Sequence, residues 1–475
     1  CGYAENTNFI NCYNLRGITT PWDYAGGICG YMNDTGFIRD SYNKGNISAS
    51  YYVGGVCGYG GVLGDITNCY NTGSITGSGS YVGGIAGRIN NSIVFNGCYN
   101  TGSISGGLDD VGGISGFSLA DTKNCYNKGD VKGSNNNIGG LLGNNTGNVF
   151  NCFNTGRVEG KSKVGGLVGT NDPDWGKYIF NCFKTGEVIG TGDNIGELCG
   201  ENNSSGTIIR CFIQTGQNVG NVVGNLKGTF TNILTLSIDA FKSGEVAYML
   251  SQGSMVIDNR TYDGSVWGQQ LGTDNYPVFG DYKVIKAAKG NNNTYWATFS
   301  NQSSDMDLSD LTVYTATVSE GILTLTQCTN KIVAMGEGVL VKGNSEYLNA
   351  LMLNDDTETP EANNDLVATP AKPTVIDAAT GHVLYRLTYN NVSEKTGLGF
   401  YLGLVGESKD GSQLKATPGK AYLNVSTEAA TTTANAAPAR GFVFPGDDET
   451  TGIGEIVIEG DAGISGSANA DDRIY

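Results

Sequence analysis

Histidine is almost missing from this chain: His382 is the only one among 475 residues. A Ser-His-Asp triad therefore has one possible base, and zinc lacks its commonest nitrogen ligand. Proline is scarce, at 9 residues, and basic side chains are few, with 29 Lys and Arg against 46 Asp and Glu for a net charge of −17. Nucleic-acid and anionic-membrane surfaces need a basic footprint, so that balance argues against both as partners. No apolar run reaches the length of a membrane-spanning helix, and the first residue is Cys1 rather than Met. The metalloprotease pattern H-E-x-x-H and the zinc spacing C-x-x-C are absent.

Glycine is in excess, with 73 residues, about twice its usual share. The glycines do not recur every third residue, which excludes a collagen helix. Combined with regular Val, Ile and Tyr, they predict many short strands joined by tight turns.

A repeat dominates residues 1 to about 225. One block reads Gly-Gly-apolar-x-Gly, as in Gly26-Gly27-Ile28-Cys29-Gly30 and Gly54-Gly55-Val56-Cys57-Gly58. It returns from Gly83, Gly112, Gly139 and Gly165, with degenerate copies from Gly196 and Gly220, at intervals of 28, 29, 29, 27, 26, 31 and 24 residues. A second block, Asn-Cys-aromatic-Asn, alternates with it from Asn11-Cys12-Tyr13-Asn14 to Cys211-Phe212. A single repeat of this length cannot bury its apolar side, so neighbours must stack. The spacing predicts an all-β fold: a parallel β-helix of about eight coils, with about three strands per coil. Stacked at about 4.8 Å, the coils form a rod on the order of 40 Å long. Cys1-Gly2 matches the end of the first block, so the chain is expected to start inside a repeat.

Twelve cysteines raise the question of disulfides. Seven align in one column, Cys12, Cys69, Cys98, Cys125, Cys152, Cys182 and Cys211, with Ser41 on the remaining rung. Cys1, Cys29, Cys57 and Cys199 share another with Ala86, Ser115, Leu142, Val168 and Val223. A position that accepts Ala, Leu and Val is a packing position, and stacked Cβ atoms about 4.8 Å apart are too distant for a disulfide. Free inward thiols are expected. The aligned Asn14, Asn43, Asn71, Asn100, Asn127 and Asn154 are expected to form an amide ladder.

Two residues before each Gly-Gly pair stand Tyr24, Tyr52 and Tyr81, then Asp110, Asn137, Lys163 and Asn194. Strand alternation turns the intervening valines inward and the tyrosines outward. The expected stripe, with Trp22 and Tyr51 nearby, is a candidate surface for sugar rings. The other reading is a ladder that only stabilises the coils.

The two blocks resemble the GLUG-motif repeat, with Gly165-Gly166-Leu167-Val168-Gly169 the nearest match. In that family the repeats occur in bacterial surface proteins, including a streptococcal IgA-cleaving metalloprotease, outside its catalytic domain. The resemblance implies a surface protein and carries no protease activity across. The second half resembles C-terminal regions of secreted proteins from gut Bacteroidetes, at Trp267-Gly268-Gln269, Tyr276-Pro277-Val278-Phe279, Trp296-Ala297-Thr298-Phe299, Gly338-Val339-Leu340-Val341-Lys342-Gly343 and Lys420-Ala421-Tyr422-Leu423. It implies that the full protein continues past Ile474-Tyr475.

The expected domains are a solenoid over 1–225, a cap or linker over 226–282, an antiparallel β-sandwich-like domain over 283–450 and a flexible tail over 451–475. In the linker, Ala240 to Gln252 reads as a short helix closing the last coil. Leu311–Val318 and Ile322–Gln327 read as a hairpin. His382 opens an apolar strand and reads as a surface histidine, while Asp305, Asp307 and Asp310 faintly resemble a calcium loop without its Gly and Glu. The pattern points to a non-catalytic, secreted or cell-surface binding protein, adhesin-like, without cofactor or metal, contacting a host or dietary glycan or a host surface protein. The alternatives are a structural spacer presenting a missing domain and a β-helix carbohydrate-active enzyme.

Overall fold

A computed structural model describes residues 1–33, 35–61, 64–90, 94–173, 176–215, 220–290, 293–390, 397–402, 410–431, 441–444 and 455–459. The chain forms two compact units, residues 1–242 with 249–267, and residues 243–248 with 268–475.

The first unit is a parallel β-solenoid. Three of its sheets have nine strands and two have seven, each strand paired in parallel with its copy in the next coil. One full coil contains five short strands, Val53–Gly54, Cys57–Gly60, Ile66–Thr67, Tyr70–Asn71 and Ile75–Gly77, rather than the expected three. Left-handed corner residues cut the strands this finely. Asn11, Asp40, Asn68, Asn124, Asn151 and Asn181 all have φ between 49° and 57° at one corner, a conformation that Asn and Asp accept more readily than most residues.

The Gly-Gly pairs mark close approach of backbones. A Cβ on Gly54 would lie 2.0 Å from the Cys57 carbonyl oxygen, and one on Gly55 would lie 2.1 Å from the Gly84 carbonyl and 2.6 Å from the Asn71 amide. No side chain fits at either position.

Inside, Cys29, Cys57, Ala86, Ser115, Leu142, Val168, Cys199 and Val223 stack in register. All twelve cysteines are free, and nine of them are buried. Burial pushes the Cys57, Cys98 and Cys199 thiols up, Cys199 to about 12. The asparagine ladder also forms: Asn43 Nδ2 donates to Asn71 Oδ1, Asn71 to Asn100 and Asn100 to Asn127, each at 2.7 Å.

The ladders continue past residue 225, through Thr229–Thr231 and Leu234–Leu236. The expected helix is two, Ile238–Lys242 and Glu245–Ser251, separated at Gly244 with φ 92°. Phe241 packs on Phe183 at the side of the solenoid, while Leu226, Phe230 and Leu234 of the last coil remain exposed. The helix therefore does not close the final coil.

The second unit is built mainly from antiparallel sheets. A six-stranded sheet carries side chains on both faces. Ala297, Phe299, Val313, Val339 and Val341 pack with Ile285, Met306 and Leu348 of a four-stranded sheet. Trp296, Tyr314, Ala316, Leu323 and Leu340 pack with Tyr385, Phe400, Leu423 and Phe442 of a five-stranded sheet. Period-2 alternation explains why neighbours such as Trp296 and Ala297 enter different cores. The hairpin forms between Thr312–Ser319 and Ile322–Gln327, turning through Glu320 and Gly321 with φ of 51° and 75°. Within the expected flexible tail, Glu455–Glu459 pairs in parallel with Ile322–Gln327, and the rest of 451–475 lies outside the described residues.

Candidate functional site

The corner preceding each Gly-Gly pair is also left-handed, through Tyr24, Tyr52, Tyr81, Asp110, Asn137, Lys163 and Asn194, with φ between 51° and 65°. The strands start one residue later, at Ala25, Val53 and Val82. The tyrosines thus sit at the corner itself, outside the strand whose alternation was expected to turn them outward. A bulky residue costs about 1–2 kcal/mol in this conformation. Tyr24 stacks on Tyr52 at 4.8 Å and Tyr52 on Tyr81 at 4.9 Å, both at 8°.

A second ladder stands beside the first. Tyr3, Tyr31 and Tyr59 align in register, with ring centroids 5.5 and 4.8 Å apart. The ladders meet edge to face, Tyr24 with Tyr31 at 5.2 Å and 76°, and Tyr52 with Tyr59 at 5.5 Å and 86°. Arg88 occupies the next rung. Its guanidinium lies 4.9 Å from the Tyr81 centroid and 4.6 Å from that of Phe117. Arg88 Nε donates to Asn90 Oδ1, and Asn90 Nδ2 donates to the Tyr59 hydroxyl, both at 2.7 Å. On the next corner Asp110 accepts from Asn137 Nδ2 at 2.8 Å, and burial raises its carboxyl to about 6.

Sequence reading found Tyr24, Tyr52 and Tyr81 and missed their neighbours. The signal lay one position after each Gly-Gly-apolar-x-Gly block, at Tyr31, Tyr59, Arg88 and Phe117. Trp22 and Tyr51 do not join either ladder among the described residues. Trp22 is 76% exposed, and the Tyr51 ring lies over Gly79, whose Cβ would come within 2.6 Å of it.

The stacking changes what the surface offers. Rings 4.8 Å apart cover one another's faces, so solvent meets edges and phenol hydroxyls. The interior rungs can hydrogen-bond a sugar chain but cannot stack on it as a flat platform.

A third ladder runs Tyr13, Tyr42, Tyr70, Tyr99, Tyr126, Phe153 and Phe183, with centroids 4.8 to 5.5 Å apart. Its tyrosines become phenylalanines where residues 249–267 return over the solenoid. Trp267 lies 5.9 Å from Phe153 and 5.5 Å from Phe183, and Tyr262 lies 4.1 Å from Phe150. At its covered end this ladder packs directly against Trp267.

In the second unit the acidic trio does not converge. The backbone amides of Met335, Thr357 and Glu358 donate to the two carboxylate oxygens of Asp305, each at 2.8 Å, and those bonds hold its carboxyl below the ordinary range. Asp307 accepts from the Ser309 amide at 2.8 Å, and Asp310 is exposed. Among the described residues no three acidic, Cys or His side chains group as metal ligands. His382 faces Ser426 across the strand pair, and its Nδ1 is buried without a hydrogen-bond partner among the described residues.

The family model of the GLUG motif matches residues 49–76 and 134–159. Both matched stretches lie within the solenoid, whose coils are therefore similar to the GLUG motif there. No curated protein matches it. A crystal structure from Bacteroides ovatus, provisionally named an immunoglobulin A1 protease, is similar at 21% identity and a TM-score of 0.36, with 54% of this chain and 86% of that one covered.

Proposed function

We propose that this is a non-catalytic binding protein, secreted or displayed on a bacterial surface, which contacts glycan through the paired tyrosine ladders. One observation carries the reading: Tyr24, Tyr52 and Tyr81 occupy left-handed corners. Later coils fill the same position with Asp110, Asn137, Lys163 and Asn194, of which Asp and Asn adopt it more easily. Three consecutive aromatic residues held in this conformation on an open surface are outliers of the kind that cluster at ligand-binding sites. The contact is made by phenol hydroxyls, Arg88 and Asn90, which hydrogen-bond sugar hydroxyls along the coil axis.

The experiment is a glycan array probed with the full chain and with Tyr52→Asn/Tyr81→Asn, a change that keeps the corner conformation. Binding by the parent chain, its loss in the variant and an unchanged melting temperature support the reading. Equal binding by both proteins rejects it.

A second reading, a structural spacer, is favoured by the third ladder, in which the same stacking packs the solenoid. Rings in such ladders contribute about 0.5–1.5 kcal/mol per pair, comparable to the corner strain. On that reading the Tyr52→Asn/Tyr81→Asn protein melts lower and no glycan binds either form.

A further inference from the structure

The second unit contains a cleft of about 360 Å³, within the size range of small-ligand sites, about 300–1,000 Å³. Lys286, Arg386, Lys415 and Lys420 line it, and among the described residues no Asp or Glu does. In a chain of net charge −17, four cations gathered around one cleft, with a single carboxylate at the rim beside Lys286, are contrary to the overall balance.

One of the four cations is paired. Lys286 reaches Glu346 at 3.4 Å on the exposed rim. Arg386, Lys415 and Lys420 form no ion pair among the described residues. Lys420 Nζ donates to the Lys286 carbonyl at 3.0 Å, and burial together with the Lys286 charge lowers its ammonium to about 8. Arg386 Nε is buried and has no acceptor among the described residues. A buried charged donor left without a partner is costly, and an incoming anion removes that cost.

The remaining wall is mixed. Leu387, Leu414 and Tyr422 supply apolar surface, and threonine side chains such as Thr298 and Thr388 bring hydroxyls. A bare inorganic ion needs no apolar wall, and a fatty chain needs no hydroxyls. A ring with one apolar face, several hydroxyls and a negative substituent uses all three features.

We propose that this cleft binds one anionic sugar unit, its carboxylate or sulfate held by Arg386, Lys415 and Lys420. The site lies wholly in the second unit and does not depend on the tyrosine ladders.

The test is calorimetric titration of the full chain with D-glucuronate, glucose 6-sulfate, glucose and inorganic sulfate. Saturable binding of either anionic sugar, and none of glucose, supports the proposal, and the two anions distinguish carboxylate from sulfate. Arg386→Gln should weaken that binding about tenfold. The exposed Lys415→Gln, which does not threaten the fold, should weaken it a few-fold. Tyr52→Asn/Tyr81→Asn should leave it unchanged, which separates this site from the solenoid face. Absence of binding by both anionic sugars, equal binding of glucose, or inorganic sulfate binding as tightly as the sugars would overturn it.

Discussion

Lys184 and Glu197 form an ion pair in the solenoid interior, where every earlier coil has an asparagine and a glycine. Asn127 donates to Asn154 at 2.8 Å, and the ladder then passes to Lys184, whose Nζ donates to the Gly186 carbonyl at 3.0 Å. The second Gly of the block becomes Glu197, and its carboxylate meets the new ammonium. The two irregular residues of the degenerate repeat are therefore one compensated change. Lys184→Met alone leaves Glu197 buried without its cation and should cost about 3–5 kcal/mol in denaturant unfolding. Adding Glu197→Gly should restore most of that stability. Equal losses in the single and double variants would show that the pair is not coupled.

Asp110 carries a pH signature. Its carboxyl is raised from 3.8 to about 6 by burial, so the folded state holds the proton more tightly than the unfolded chain. The stability this contributes is present below pH 3.8 and is lost as pH rises through 6. Asp110→Asn keeps the corner and the bond to Asn137. It should stabilise the protein by about 2 kcal/mol above pH 7 and by little near pH 4. Thermal melts of both proteins across that range check the slope, and parallel curves would contradict it.

The third ladder separates covered from open rungs. Phe183 is fully buried beneath Trp267, so Phe183→Tyr introduces a hydroxyl without room or water and should cost about 1–3 kcal/mol. Tyr99, half-buried on an open rung, should tolerate Phe within about 0.5 kcal/mol. Chemical denaturation of both variants tests the difference, and equal effects would remove Trp267 as a cover.

The two interleaved blocks made the solenoid legible, because identical residues at a fixed interval must superpose when coils stack. The cysteine and asparagine columns followed from the same registers. The corner conformation did not, since nothing in Tyr52 as a residue type announces a φ of 55°. That conformation is imposed by the turn, and the Asp110, Asn137 and Asn194 on equivalent rungs were its trace. The cover formed by residues 249–267 was hidden for a different reason. Its contacts, such as Trp267 Nε1 with Asn151 at 3.3 Å, join residues far apart in sequence and follow no period. The anionic-sugar cleft was invisible likewise, because Lys286, Arg386 and Lys420 come from separate strands and loops. The strand Glu455–Glu459 sat in a stretch whose acidic, glycine-rich composition pointed to a tail.

The account rests on equivalent residues forming continuous columns through the solenoid, and thiol labelling reads those columns directly. Native protein treated with iodoacetamide and mapped by mass spectrometry should label Cys1, Cys12 and Cys328 quickly. The nine buried cysteines, Cys29 to Cys211, should react only after unfolding, and together. Labelling of Cys98 or Cys152 in the native protein as fast as Cys1 would contradict the stacked coils.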